Sequence, residues 1–393
     1  MIYTILSIAF TCCVVLVVHS YLLYPLFLVL STSAGKKSNE IIFEENELPE
    51  IEILIAAYNE EKVIGEKLKS IFESKYPTNK IFVQIGSDSS TDKTNAIVED
   101  FISRYPSQIK LRVFPGRTGK SGIINQLVEE STKDILLLSD ANVLFTEFTL
   151  RELSKHFKNE AIKLVAANII KVSPNNEGIA SQEKSYLKME NRIKLLESIR
   201  WNAVMGAEGG CYTIRRVDFA PVPKNFFMDD FYITMNVLEN KGKVIFEPDA
   251  ICFEDVPNSG KEEYKRKVRI SIGNFQNLKR YKALLWPFWK GKGFAFLSHK
   301  VLRWLTPFLL IKAFLILSVL CFWGSSWLWL WLGELFLFST PLLNFIFERG
   351  GMPVPLIRYF GHFIHMNLAL LKGFFLFVKG VETNVWTPTQ RNK

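Results

Sequence analysis

The residues from Ile2 to Leu30 form one apolar run without a single Lys, Arg, Asp or Glu. That run exceeds the roughly 20 residues a helix needs to span a bilayer. A secretory signal would carry a charged n-region and a shorter apolar core. Residues 1–34 therefore read as a retained transmembrane helix. Lys36 and Lys37 follow it. By the positive-inside rule they put the N-terminus outside and the next domain in the cytosol. The far end of the chain is apolar too. "ALLWPFWKGKGFAFLSHKVLRW" mixes aromatic and basic residues, as interfacial helices do, so 283–305 is expected in the interface. "LTPFLLIKAFLILSVLCFW" and "WLWLWLGELFLFSTPLLNFIF" then read as a transmembrane hairpin turning at Gly324-Ser325-Ser326, with Lys312 and Glu334 as its charges. A charge at the bilayer centre costs ~2.5–3.5 kcal/mol on insertion scales, which places these two near an interface or against protein. The last stretch, Tyr359 to Val378, is broken by His362, His365 and Lys372. Spanning, interfacial and re-entrant readings all remain open for it within a 306–380 membrane region. A tail of 381–393 closes the chain.

Between the apolar blocks the pattern changes. From 49 to 282 short apolar runs alternate with amphipathic ones. "IEILIAAY", "IFVQIGSD", "IKLRVF", "DILLLSD" and "IKLVAANII" read as strands. "KVIGEKLKSIFES", "NAIVEDFISRY" and "GIINQLVEES" read as helices, the first with Ile64, Leu68 and Ile71 at helical spacing. Such alternation implies an α/β, Rossmann-type domain with a largely parallel sheet and right-handed crossovers. In such sheets ligands bind at the carboxyl ends of the strands. Polar residues gather there: Asn59 and Glu60 after Ala57, then Asp88, Arg117 to Lys120, and Asp140.

Composition narrows the function classes. Hydrophobic residues are 48% of the chain and the formal net charge is +9. The excess positive charge is local. Lys261, Lys265, Arg266, Lys267, Arg269, Lys279, Arg280 and Lys282 crowd one stretch before the apolar region. That placement suits anionic lipid headgroups or phosphorylated ligands. No aromatic-and-basic RNA-binding signature accompanies it, so nucleic acid is not an expected partner. Five cysteines and five histidines are scattered without metal or disulfide spacing.

The candidate chemistry sits in a fixed order of motifs. "SDSSTDKT" carries Asp88, a carboxylate able to accept from a nucleobase or a sugar hydroxyl, and Asp92, which reads as a helix cap. "GRTGKSGIIN" is a basic glycine-spaced loop that does not match GxxxxGK[ST]. "LLLSDAN" ends a buried strand in Asp140, with Asn142 two residues on. "GAEGGCYTIRR" has glycines that would let backbone approach a ligand. "FFMDDFYITMNV" sets Asp229 and Asp230 at a helix start, where carboxylates also serve as caps.

Together with "AAYNEE" and "RKVRISIGNFQNL", this order resembles the family 2 glycosyltransferases of the GT-A fold. It is similar above all to membrane-embedded bacterial members related to cellulose, hyaluronan and poly-N-acetylglucosamine synthases. The resemblance runs from about Ile51 to the C-terminus. It implies a GT-A-like mixed sheet and an inverting, metal-dependent transfer from a nucleotide-sugar donor, UDP first among nucleotides. Asp88 would contact the uracil or ribose, Lys120 would lie near the phosphates, and Ala57, Asn59 and Glu60 would belong to the donor side. Asp140 and Asn142 would take the place of the family's metal-binding Asp-x-Asp, holding Mg²⁺ or Mn²⁺. Asp230 would be the base, with Asp229 supporting it. Glu208, Gly209 and Cys211 would neighbour the acceptor. Arg269 keeps the arginine of the Gln-x-x-Arg-Trp signature, suited to clamp the diphosphate. Arg266 stands for its Gln on the donor side, and Ile270 for its Trp. "VWTPTQR" resembles the tail of many membrane-bound relatives.

The resulting expectation is a multi-pass protein of the inner (cytoplasmic) membrane with a cytosolic catalytic domain. Its partners would be a nucleotide sugar, a lipid-linked or glycan acceptor, membrane lipids, and export or synthase proteins. Asn142 and Ile270 keep open a weakly active or non-catalytic subunit that binds a nucleotide sugar. A channel or transporter with a regulatory soluble domain is the third class.

Overall fold

The computed structural model describes residues 1–32, 47–172, 179–255, 260–352 and 354–380. Lys36 and Lys37, on which the orientation rests, and the "VWTPTQR" tail lie outside these residues. The chain divides into two compact units. One joins Met1–Leu30 with Ser259–Gly380, and the other is built on Ser31–Asn258.

The first unit begins with α1 (Ile2–Val18) and α2 (Tyr24–Ser31). A π-helical turn joins them into one helix of 30 residues.

The second unit is an α/β sheet with helices on both faces. Its first half is β1 (Ile51–Ala57), α3 (Ile64–Phe72), β2 (Ile81–Ser87), α4 (Thr94–Arg104), β3 (Ile109–Val113), α5 (Lys120–Glu130) and β4 (Ile135–Ser139). These four strands lie in the order β3-β2-β1-β4, all parallel. Period-2 alternation sends Ile51, Ile53 and Ile55 into the core beneath α3 and α4. Leu54 points the other way and is also buried. Burial on both faces explains why the strands read as unbroken apolar runs.

The second half is β5 (Val143–Phe145), α6 (Thr149–Ser154), β6 (Ile162–Val172), α7 (Ile179–Trp201), β7 (Cys211–Arg215), α8 (Asp229–Glu239) and β8 (Lys243–Asp255). The full sheet runs β3-β2-β1-β4-β7-β6-β8-β5. Here the expectation of a largely parallel sheet needs correcting. β7 inserts between β4 and β6, antiparallel to both, and β5 pairs antiparallel with β8. The sheet is mixed, and the end of β7 that starts at Cys211 lies beside the end of β4 that stops at Ser139.

The first unit resumes with α9 (Gly260–Tyr281), α10 (Gly291–Ala295), α11 (Leu302–Leu320), α12 (Ser325–Arg349) and α13 (Pro355–Lys379). A second π-helical turn makes Gly291–Trp323 continuous over 33 residues. Residues 291–305 of the segment expected at 283–305 belong to this helix, and residues 283–290 precede it. From Gly291 onward nothing breaks the helix, because neither Pro nor a turn intervenes before Pro307. Ile2–Ser31, Gly291–Trp323, Ser325–Arg349 and Pro355–Lys379 are each long and apolar enough to cross a membrane. The hairpin turns at Gly324 as expected, and the Trp331 indole donates to Ser318 Oγ at 2.9 Å across it.

The composition boundary at 282 also differs from the packing boundary near 258. α9 is charged along much of its length, but its Val268, Ile272 and Phe275 are buried. Ser271 Oγ donates to the Leu370 carbonyl of α13 at 2.7 Å, and Phe275 meets Phe374 edge-on at 5.0 Å. Gly373 of α13 presses so closely on Ser271 that a Cβ there would clash.

Candidate active site

Two loops at the carboxyl ends of β1 and β2 are stitched together by short polar side chains. Asn59 has a left-handed backbone, φ 53°, and its Oδ1 accepts from Thr91 N at 2.8 Å. The backbone N–H of Glu60 donates to Thr94 Oγ1 at 2.8 Å, and that of Glu61 donates to Asp92 Oδ2 at 3.0 Å. Asp92 Oδ1 accepts from Thr94 N at 2.9 Å, closing the turn that leads into α4. Ala57 is buried, and its carbonyl accepts from Asp88 N at 2.8 Å.

Asp88 closes this region. Its side chain is 2% exposed. One oxygen accepts from Thr118 N at 2.5 Å, and the other from Gly119 N at 3.1 Å and Arg117 Nε at 3.0 Å. Gly119, with φ 81°, makes the turn into α5 that aims these two N–H groups at the carboxylate. The Arg117 guanidinium also lies 3.3 Å over the ring of Tyr58. Asp88 thus anchors the basic loop of Arg117 to Gly119.

Asp140, at the end of β4, is in a different state. Its side chain is 34% exposed. Lys120, the first residue of α5, reaches it with Nζ at 2.6 Å from Oδ1. The same ammonium lies 3.9 Å from Asp229 Oδ2 and 3.4 Å from the Gly209 carbonyl. Burial alone would lower the pKa of Lys120, but Asp140, Asp229 and Asp230 together raise it well above the ordinary lysine value. Asn142 is half-buried, and among the described residues its side-chain amide makes no hydrogen bond.

The strand ends of β4 and β7 bring these groups to the third carboxylate. Asp140 N and Ser139 Oγ both donate to the Gly210 carbonyl, at 3.1 and 2.9 Å. At Gly209 a Cβ would stand 3.0 Å from Asp230 Oδ2, so the absence of a side chain is what lets Asp230 lie there. Asp229 and Asp230 open α8 after Met228, whose φ is 59°. Burial first, and then the charge of Asp229, push the Asp230 carboxyl up to about 7, against Lys120 and the N–H groups of Phe231 and Gly209.

Not every expected residue is at the site. Cys211 is fully buried, in the core with Cys252, on the face of the sheet away from Asp230. Side chains alternate along a strand, so it is the next residue, Tyr212, whose phenol feels Asp229, Asp230 and Asp140. Cys211 is thereby removed from the acceptor residues. Glu208 is ion-paired with Lys194 of α7, which with Lys171 holds its carboxyl below the usual range although burial would raise it. Lys194 and Tyr212 were missed. Only the i, i+4 spacing of Glu190 and Lys194 hints at a polar inner face on α7. Arg266 and Arg269 lie one helical turn apart on α9 of the first unit. Glu152, Glu247 and Asp249 also bring carboxylates together, away from this site, with Lys155 and His156 on Glu247.

Residues 52–220, which hold Asp88, Lys120, Asp140, Asn142, Glu208 and Gly209 but not Asp229, Asp230 or the α9 arginines, match the family described as Glycosyl transferase family 2. They form a family 2 glycosyltransferase domain. The domain's relatives include "Probable glycosyltransferase YdaM" of Bacillus subtilis, 25% identical over 64% of this chain and 63% of that protein. The poly-β-1,6-N-acetyl-D-glucosamine synthase of Staphylococcus epidermidis is 22% identical over 69% of this chain and 68% of its own length. The β-monoglucosyldiacylglycerol synthase of Synechocystis is 33% identical, over 28% of this chain and 23% of that enzyme. The alignments thus span less than two thirds of the YdaM and Synechocystis proteins. The mannosyltransferase PcManGT of Pyrobaculum calidifontis, solved with GDP-Man and Mn²⁺, superposes with a TM-score of 0.68 at 20% identity, covering 93% of this chain and 98% of that one. That likeness shows that the glycosyltransferase domain has a GT-A-like fold accompanied by long apolar helices.

Proposed function

We propose that this chain transfers a sugar, with inversion, from a nucleotide donor to a lipid-linked or glycan acceptor at a membrane. The observation that carries the reading is the convergence of Asp140, Asp229 and Asp230 on Lys120 at the carboxyl end of β4. A carboxylate whose pKa is pushed to about 7 is suited to take a proton near neutral pH. Asp230 accepts the proton of the acceptor hydroxyl as that oxygen bonds to the anomeric carbon. The bond from that carbon to the diphosphate breaks, and its electron pair leaves with the diphosphate. Lys120 turns its ammonium toward the departing charge. Arg117 and Tyr58 form a stacked wall that Asp88 fixes, suited to the nucleoside end of the donor.

The donor set fits a hard divalent cation. Asp140 offers a part-exposed carboxylate and Asn142 an unengaged amide oxygen, and Mg²⁺ typically takes one or two carboxylates plus phosphates and waters. Such an ion, bound there, would absorb the negative charge of the leaving diphosphate. PcManGT, which shares the fold, is described with Mn²⁺ and GDP-Man. UDP rather than GDP is proposed here from the motif order. The role of Arg269 rests likewise on its place in the motif. The orientation with the domain in the cytosol of an inner membrane rests on Lys36 and Lys37.

A second reading, a nucleotide-sugar-binding subunit without turnover of its own, is favoured by one observation. Asp140 already has a resident cation in Lys120. The two separate when membranes holding this chain receive a panel of UDP- and GDP-sugars and the products are read by mass spectrometry. Divalent-dependent transfer from one donor supports the enzyme. Donor binding without any product supports the subunit.

A further inference from the structure

Lys67 lies on α3 among Ile64, Leu68 and Ile71, and its relative exposure is 0%. A lysine is almost never fully buried unless paired, and an apolar residue would fill such a place at lower cost. Its ammonium is spent entirely on one segment. Nζ donates to Ser139 Oγ at 2.7 Å and to the Val143 carbonyl at 2.5 Å, and sits 3.3 Å from the centroid of the Phe145 ring. Ser139 and Val143 are the first and last residues of the turn that carries Asp140 and Asn142. The turn is also closed on itself by Val143 N donating to the Asp140 carbonyl at 3.3 Å. Ser70, one turn along α3, also grips this region through Phe145 N at 3.2 Å. The polar link continues beyond the turn. Ser139 Oγ, accepting from Lys67, donates to the Gly210 carbonyl, and the neighbouring Gly209 N–H donates to Asp230.

We infer that Lys67 is a positioning residue that clamps the Ser139–Val143 turn from inside the core, setting Asp140 and Asn142 for a divalent cation and tying that turn to the loop beneath Asp230. The inference rests on the proposed cation site. A fixed turn matters because Asp140 and Asn142 are two residues apart on irregular backbone, where contacts from the core add to the turn's own hydrogen bond in holding both oxygens on one ion. Burial lowers the Lys67 ammonium to about 8, partly offset by Cys211, Cys252 and Asp140, so it is still charged at neutral pH.

The test is Mn²⁺ binding to the full purified chain without donor, read from the free Mn²⁺ signal in electron paramagnetic resonance. Asp140→Asn, Lys67→Met and Ser139→Ala are compared with the native chain. Lys67→Met keeps the side-chain length and loses the donors. Its Mn²⁺ dissociation constant should rise about tenfold, and that of Ser139→Ala about threefold, with melting measured alongside well above the assay temperature. A folded Lys67→Met that binds Mn²⁺ like the native chain overturns the inference. Should Lys67→Met not fold, Ser139→Ala decides, and an unchanged constant there overturns it equally. Mn²⁺ binding that survives Asp140→Asn overturns the cation site itself, and the inference with it.

Discussion

Two strands of the same parallel set, β2 and β4, each run straight into an aspartate, and the two have been put to different uses. Asp88 is 2% exposed and accepts three hydrogen bonds from the loop of Arg117 to Gly119. Asp140 is 34% exposed and faces one ammonium. A carboxylate held by two backbone N–H groups and a guanidinium is a structural tie. One held by a single flexible cation can exchange it. A strand-terminal Asp in such a sheet therefore does not announce its role. The number of fixed donors around it does.

The sharpest way to break this comparison is to truncate both. Asp140→Ala should lower sugar transfer by ~10²–10³, the order for losing a group that steadies transition-state charge. Its melting should move little, since the pair it breaks is part-exposed and worth at most ~1 kcal/mol. Asp88→Ala should do the reverse in stability. Removing one partner of a buried pair costs about 3 kcal/mol, read as a fall in the denaturation midpoint. Equal losses of stability in the two variants would erase the distinction. Gly209→Ala probes the ground between them. A Cβ 3.0 Å from Asp230 Oδ2 should displace the base and cut kcat about tenfold, the scale of a small misplacement.

The pH profile follows from the same crowding. Asp230 must be ionised to act as a base, and burial with Asp229 pushes it to about 7. kcat/KM should therefore fall as pH drops through about 7, because the protonated carboxyl cannot accept. An acid limb at the ordinary Asp value near 4 would show that Asp230 is not the group titrating. The smallest effect is expected at Asn142→Asp. A second carboxylate beside Asp140 should tighten Mn²⁺ a few-fold in a binding titration, and an unchanged constant would move the ligation elsewhere.

How much of this could be read from the sequence depends on which half is considered. β1 to β4 and their helices were legible because both faces are covered and the apolar runs are unbroken. α7 was not, because its buried face carries Glu190, Lys194, Glu197 and Ser198 where apolar residues would mark a period. β8 was missed as a sheet strand, and so was the antiparallel insertion of β7 that sets Tyr212 rather than Cys211 near the carboxylates. Asp140, Asn142, Lys120, Asp229 and Asp230 were named from their motifs, and the structure brings all but the uncoupled Asn142 amide into one charged cluster. The tie of Asp88 was hidden because its partners lie 29 to 31 residues further along. The clamp by Lys67 was hidden in an ordinary amphipathic helix, with its partners Ser139 and Val143 a further 72 and 76 residues away.

The central claim, that this cluster performs divalent-dependent sugar transfer with Asp230 as base, is tested most directly by nucleoside diphosphate release. The purified full chain and its Asp230→Asn variant are each supplied with the preferred nucleotide sugar, acceptor membranes and Mn²⁺. The account predicts release by the native chain that chelation abolishes, and a loss of ~10²–10⁴ in the variant, as for removal of a general base. Full turnover by Asp230→Asn would contradict it.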